Sequence, residues 1–213
     1  MNFLILVGGE NRRIGNCKAF LKIGRKNLLE KVLCEIDKAK EKREEVVLVG
    51  GKFSEKKDKM ELFRGRKLKV IEDVYPGKGP LGGIYSGLLF SESEFNFVVG
   101  CDMPFLNWKF ISYMRYLPRD YDILLPSHQK GVEPLHAIYS KSCLPIIERK
   151  LKEGKLNIRS IFPYLKIRFV GEEEIKNFSS PDLLFFNVNT LDCLLYTSPS
   201  PRDLSTSRMP SSA

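Results

Sequence analysis

The chain is expected to be an α/β protein, a three-layer α/β/α sandwich built on a mostly parallel sheet. Two patterns in the sequence predict this. Seven short apolar runs, most of them without polar alternation, read as buried and largely parallel strands. Helix-like patterns lie between them along most of the length. The size agrees: 213 residues, 43% hydrophobic and 29% charged, suffice for one well-packed domain and are too few for two.

The first strand is Phe3–Val7, stopped by Gly8 and Gly9. A helix at Leu28–Lys42 leads to a strand at Val46–Val49, and one at Glu55–Phe63 leads to Leu68–Ile71. A helix at Ile84–Ser91, starting near Gly83, precedes Phe97–Val99, and one at Trp108–Leu117 precedes Asp122–Leu125. Helices at Lys141–Glu153 and Leu156–Phe162 come before the strand Leu165–Val170, and Leu184–Val188 is the last apolar run. No repeat or linker divides residues 1–195. Functional groups should therefore gather at the carboxyl ends of the strands, where open α/β sheets bind ligands.

From Tyr196 to Ala213 the composition changes: six Ser, two Thr and three Pro fill 11 of 18 positions. Such a segment, 196–213, has too little apolar surface to bury and is expected to be disordered. Its wording, Tyr-Thr-Ser-Pro-Ser-Pro-Arg-Asp, resembles translated adapter or vector read-through, which would put the native end near Leu191 to Cys193 and leave a final helix missing. A genuine flexible tail is the alternative.

Composition narrows the function classes. The N-terminus has no basic stretch before a long apolar region, so neither a signal peptide nor a membrane span fits, and a cytoplasmic protein is expected. Five widely spaced cysteines, at 17, 34, 101, 143 and 193, contain no Cys-x-x-Cys pair and read as reduced thiols. The net charge of +9 raises nucleic-acid binding as a rival. Yet lysines such as Lys38, Lys40, Lys42, Lys56, Lys57 and Lys59 alternate with acidic residues, and no aromatic-basic interleaving accompanies them, so a solvated surface is the better reading.

The most informative stretch runs from Leu6 to Lys18, a glycine-rich basic loop at the end of the first strand. Glycines let the backbone approach a polyphosphate closely and point N–H groups at its oxygens, while Arg12, Arg13 and Lys18 supply countercharge. It is neither a P-loop nor a Rossmann turn, whose glycine spacings differ. A second candidate is Gly100-Cys101-Asp102-Met103-Pro104-Phe105, which places Asp102 at the carboxyl edge of a strand. A hard carboxylate oxygen there suits Mg²⁺ carried by substrate phosphates, against the simpler role of capping the next turn. A third is the loop Asp73 to Ile84, dense in Gly and Pro, where Asp73 could accept hydrogen bonds from a base or ribose. Its glycines could instead serve turn geometry alone.

These three motifs, in order and spacing, resemble the molybdenum cofactor guanylyltransferases, whose pattern runs Leu-x-Gly-Gly-x-Ser-x-Arg-Met-Gly-x-Asp-Lys, then Gly-Pro-Leu-x-Gly-Ile, then Cys-Asp-Met-Pro-Phe. The matching positions are Leu6, Gly8, Gly9, Arg13, Gly15 and Lys18, then Gly79, Pro80, Leu81, Gly83 and Ile84, then Cys101 to Phe105. Glu133-Pro134-Leu135-His136-Ala137-Ile138-Tyr139 and Phe186-Asn187-Val188-Asn189-Thr190 also resemble that family, so the similarity extends over about residues 1 to 192.

The resemblance implies a Rossmann-like nucleotidyltransferase fold. It also implies transfer of GMP from GTP to the terminal phosphate of molybdopterin, with or without molybdenum, releasing pyrophosphate. Arg13, Lys18 and Asp102 would be catalytic, with Asp102 the ligand of Mg²⁺. Leu6, Val7, Gly8, Gly9, Lys18, Asp73 and Asp102 would hold the nucleotide, and Gly79, Pro80, Leu81, Asn187 and Asn189 the pterin substrate. Molybdenum-insertion proteins and apo-molybdoenzymes would be transient partners; no nucleic acid and no membrane are implied.

The chain departs from the pattern at Asn11, Ile14 and Cys17, which stand where the family has Ser, Met and Asp, and at Gly50-Gly51, where an asparagine often helps hold guanine. Nucleotide choice is therefore less fixed than the fold, and a molybdopterin cytidylyltransferase or a sugar-phosphate nucleotidyltransferase is the nearest rival. Of the two histidines, His128 and His136, the second sits in an apolar strand-like setting and reads as a packing or hydrogen-bonding residue.

Overall fold

The computed structural model of the protein describes residues 1–7, 18–50, 66 and 68–188. Along them come β1 (Asn2–Leu6), a 3-10 turn (Lys18–Phe20), the short hairpin β2 (Lys22–Ile23) and β3 (Lys26–Asn27), α1 (Leu28–Ala39), β4 (Val46–Val49) and β5 (Leu68–Ile71). Then follow α2 (Gly79–Phe90), β6 (Phe95–Gly100), α3 (Trp108–Tyr116), β7 (Ile123–His128), β8 (Gly131–Val132) and β9 (His136–Ser140). A 3-10 turn (Lys141–Cys143), α4 (Leu144–Lys152), a 3-10 helix (Ile158–Tyr164), β10 (Ile167–Val170), α5 (Glu172–Lys176) and α6 (Pro181–Leu184) complete the described chain.

The main sheet has the order β10-β7-β9-β6-β1-β4-β5, with β8 paired to β7. Every neighbouring pair on this path is parallel except those made by β9, which runs antiparallel between β6 and β7. The strands were read from apolar runs without alternation, and β1 shows why: all five residues are buried, Phe3 and Ile5 on one face and Leu4 and Leu6 on the other. One face is covered by α1 and α3, through Leu29, Val32, Leu33, Ile36, Phe110 and Met114. The other is covered by α2 and α4, through Leu81, Ile84, Leu88, Ile147 and Leu151. The three-layer α/β/α sandwich is the observed fold.

Local chemistry sets the helix ends. Asn27 Oδ1 accepts from Glu30 N–H (2.8 Å) while Glu30 Oε2 accepts from Asn27 N–H (2.7 Å), a capping box that starts α1. Asn107 Oδ1 accepts from Lys109 N–H at 2.9 Å to start α3. In α2, a Cβ at Gly87 would lie 2.7 Å from Leu4 Cδ1, so the glycine is what lets this helix lie so close on β1.

Four sequence expectations differ from the structure. The run Leu184–Val188 is no strand: α6 ends at Leu184, and Leu184, Phe185 and Val188 bury themselves against the sheet's α1/α3 face or its edge instead of joining a ladder. β9, noted only as the strand-like setting of His136 and not among the seven strand runs, is the element that breaks parallel order. α2 begins at Gly79, four residues before Gly83, because Pro80 fits the first helical turn. The segment expected as a helix at Leu156–Phe162 is a 3-10 helix at Ile158–Tyr164. The helix expected at Glu55–Phe63 and the tail at 196–213 lie outside the described residues. No helix among the described residues is long and apolar enough to cross a membrane.

Candidate active site

Register brings the sequence motifs to one edge. Leu6 of β1 pairs with Val49 of β4 and Gly100 of β6, and Val49 pairs with Ile71 of β5, so four parallel strands end level. From that edge the chain continues into Val7, Gly50, Glu72-Asp73 and Cys101-Asp102. Gly50 leaves β4 at φ 96°, a conformation suited to glycine, and its N–H donates to Ile71 C=O at 3.1 Å.

Leu6 and Val7 are buried, and the ladder uses part of their backbone: Cys101 N–H donates to Leu6 C=O (3.1 Å) and Val7 N–H donates to Val49 C=O (3.0 Å). Lys18 opens the 3-10 turn that follows the glycine-rich loop. Gly8, Gly9 and Arg13 lie outside the described residues, as does Asn189.

Asp73 is half-buried and already engaged. Its Oδ1 accepts from Tyr75 N–H (3.1 Å) and from the Ser86 hydroxyl (2.7 Å), and Ser86 Oγ in turn accepts from Val74 N–H (2.9 Å). This network fastens the loop to α2. A Cβ at Gly82 would sit 3.0 Å from Tyr75 C=O and 3.4 Å from Asp73 Oδ1, so Gly82 keeps room for the turn. Ser86 and Gly82 are contributors that motif reading missed; the i, i+4 spacing of a small hydroxyl behind a glycine was their only signal.

Gly79 and Pro80 are exposed at the start of α2, and the N-cap residue Lys78 makes no side-chain cap bond. The first N–H groups of α2 therefore present uncapped donors beside the strand edge. Leu81 points the other way: its side chain is fully buried in the core, so it can meet a substrate only through its backbone.

Asp102 is half-buried just past β6. A Cβ at Gly100 would lie 2.6 Å from Asp102 Oδ1, so only glycine lets the carboxylate fold back over the strand end. Val188 N–H donates to Asp102 C=O at 2.9 Å, which brings the C-terminal segment and Asn187 to the same edge. Asn187 Nδ2 donates to Phe185 C=O at 3.2 Å.

The two histidines behave differently. His128 Nε2 lies 2.9 Å from Glu133 Oε1, and its ring stacks on Phe185 at 5.2 Å between centroids. His136 is fully buried among Phe97, Phe110 and Phe185, with no hydrogen-bond partner on either ring nitrogen. Burial holds its pKa down to about 3, so it is a neutral ring at ordinary pH. It packs, as the sequence suggested, and it does not hydrogen-bond through its side chain.

Among the described residues, no group of three or more His, Cys, Asp or Glu side chains converges on a metal position.

With this geometry in place, similarity to known proteins decides the family. The MobA-like NTP transferase domain matches residues 3–167. The chain belongs to that family. It is a nucleotidyltransferase. Over 198 residues it is 35% identical to a protein of Clostridium perfringens named probable molybdenum cofactor guanylyltransferase, covering 88% of this chain and 91% of that one. It is 32% identical over 190 residues to the molybdenum cofactor guanylyltransferase of Desulfosudis oleivorans, covering 88% and 89%. The crystal structure of molybdopterin-guanine dinucleotide biosynthesis protein A from Archaeoglobus fulgidus superposes with a TM-score of 0.75 at 27% identity, over 92% of this chain and 96% of that one. In this MobA-like chain, therefore, the level strand ends are those of a nucleotidyl-transfer fold.

Proposed function

We propose that this enzyme transfers GMP from GTP to the terminal phosphate of molybdopterin, forming the guanine dinucleotide form of the cofactor and pyrophosphate. The observation that carries this reading is the convergence of Asp73, the start of α2, Asp102 and Asn187 on one strand edge, beside the strand that leads into the glycine-rich basic loop. The names of its relatives supply the substrate pair.

An oxygen of the acceptor's terminal phosphate attacks the α-phosphorus of GTP, the bond to the β-phosphate oxygen breaks, and pyrophosphate leaves. Both reactants are anions, so positioning and charge neutralisation are the main tasks and no covalent enzyme intermediate is needed. Asp102 fits a divalent cation, assigned as Mg²⁺, because it offers a half-exposed hard oxygen at the edge where the phosphates would lie. When bound, that ion supplies Lewis-acid stabilisation of charge on the phosphate oxygens. Arg13 and Lys18 would neutralise the pyrophosphate, and Leu6, Val7, Gly8 and Gly9 would border the guanine through their backbone. Asp73 would fix the nucleoside through its second carboxylate oxygen. Gly79, Pro80, the Leu81 backbone, Asn187 and Asn189 would line the pterin side.

Pyrophosphate release from each of the four ribonucleoside triphosphates, with Mg²⁺ and molybdopterin, tests the reading. GTP-selective release that needs molybdopterin is the expected result. Release with CTP instead would move the enzyme to the cytidylyl relatives, and release independent of molybdopterin would reject the acceptor.

A further inference from the structure

The residues assigned to charge neutralisation come from segments far apart in sequence, Lys18 just after the glycine-rich loop and Asp102 after β6. One piece of chain touches both. Val188 N–H donates to Asp102 C=O (2.9 Å), while the Val188 side chain, fully buried, packs with Leu21, which directly follows the Lys18–Phe20 turn, and with Ile23 of the β2–β3 hairpin and Leu28 at the start of α1. Phe186 joins the same cluster and sets its ring 5.9 Å from that of Phe105, three residues past Asp102.

Residues 185–188 make no strand ladder, so side-chain packing adds to the few backbone hydrogen bonds that hold them. The Phe185 ring, 6% exposed, stacks on His128 (5.2 Å, 23° between planes) and meets His136 edge-on (5.2 Å, 84°). His128 is in turn held by Glu133. The cage buries both ring nitrogens of His136 without a partner, which is poor packing for stability alone. Departures of that kind concentrate where a protein keeps a geometry for function.

We infer that Phe185 and Val188 are positioning residues, a strap that sets the metal-ligating Asp102 against the segment bearing Lys18. The inference rests on the assignment of Asp102 above. Phe185 seats the strap on the β7–β8 hairpin, and Val188 transmits that seat to both halves of the centre, by its N–H to Asp102 and by its side chain to the Lys18 segment. Sub-ångström misplacement of charged groups is enough to slow phosphoryl transfer, because the enzyme's contribution is chiefly geometric.

The test compares Phe185→Leu and Val188→Ala with the full-length wild type, and Phe185→Tyr as the variant that keeps the stacked ring. Turnover, the KM for GTP and the half-saturating Mg²⁺ concentration are read from pyrophosphate release, and Mn²⁺ binding in the presence of GTP is read by water-proton relaxation; Asp102→Asn serves as control. Phe185→Leu and Val188→Ala should each lower kcat about tenfold or more and raise the half-saturating Mg²⁺ severalfold, while Phe185→Tyr stays within about twofold of wild type. Folded Leu and Ala variants that keep the wild-type metal dependence and lose only thermal stability would overturn the strap. If one of the two does not fold, the other decides. Wild-type Mn²⁺ binding that survives Asp102→Asn would instead overturn the metal assignment, and the strap with it.

Discussion

The two flanks of β1 build their share of the site by different means. Toward β4 and β5, everything is local and made by the backbone: parallel strands end level, the loop to α2 is fastened by Asp73 and Ser86, and small residues let α2 settle on the sheet. Toward β6, β9 and β7, the arrangement is assembled across long stretches of sequence: an antiparallel strand is inserted, and Asp102 is tied to a residue 86 positions later, Val188. The contrast teaches that one flank of such a strand edge can be specified by short motifs, whereas the other depends on packing partners that no motif contains.

The sharpest way to separate the two sides is to remove the carboxylate that the proposed mechanism makes a metal ligand. Asp102→Ala should cut turnover by roughly 10²-fold or more with the melting temperature nearly unchanged, as measured by pyrophosphate release and thermal melts. Gly100→Ala acts on the same carboxylate indirectly, since the new methyl would fall 2.6 Å from Asp102 Oδ1; turnover should drop by about tenfold. Gly87→Ala is its counterpart on the other side. There the new methyl would fall 2.7 Å from Leu4 Cδ1 in the core, so urea unfolding should show a loss of about 1–3 kcal/mol while turnover of the folded enzyme at 25 °C holds.

His136 gives the β6–β9–β7 flank a pH signature. Burial lowers its folded pKa from the ordinary 6.5 to about 3, so below pH 6.5 the unfolded chain binds a proton that the folded one refuses. Stability is therefore full above about pH 7 and falls progressively as the pH drops toward 3, by about 2 kcal/mol already at pH 5. Urea midpoints at pH 7 and pH 5 should show this loss in the wild type and a smaller one in His136→Leu. The smallest effect belongs to the β4–β5 flank: Ser86→Ala, which frees Asp73 from α2, should cost about 1 kcal/mol and raise the KM for GTP severalfold.

What could be read from the sequence follows the same division. β1, β4 and β6 announced themselves because strands buried on both faces need nearly uninterrupted apolar residues, and the turns after the parallel strands carried Gly, Pro and Asp at readable spacing. Asp102 was legible for that reason. β9 was not, because Leu135 to Tyr139 is as apolar as a parallel strand and direction leaves no trace in composition. The run Leu184–Val188 misled in the opposite sense: its apolar residues are there to be buried, yet with Pro181 opening a helical turn they do so as a folded-back segment. Ser86 and Phe185 matter through what they touch, and contact partners 13 or more residues away are invisible to local spacing.

The insertion of β9 also bears on how the protein is made. β7 is synthesised before β9 yet lies outside it in the sheet, so β7 has no place to dock on β6 until residues 136–140 have emerged and filled the gap. The strap that reaches Asp102 comes later still. A ribosome-bound chain could thus pair β1, β4, β5 and β6 early, but Asp102 gains its backbone tie only when Val188 has left the exit tunnel, after all of those strands are in place.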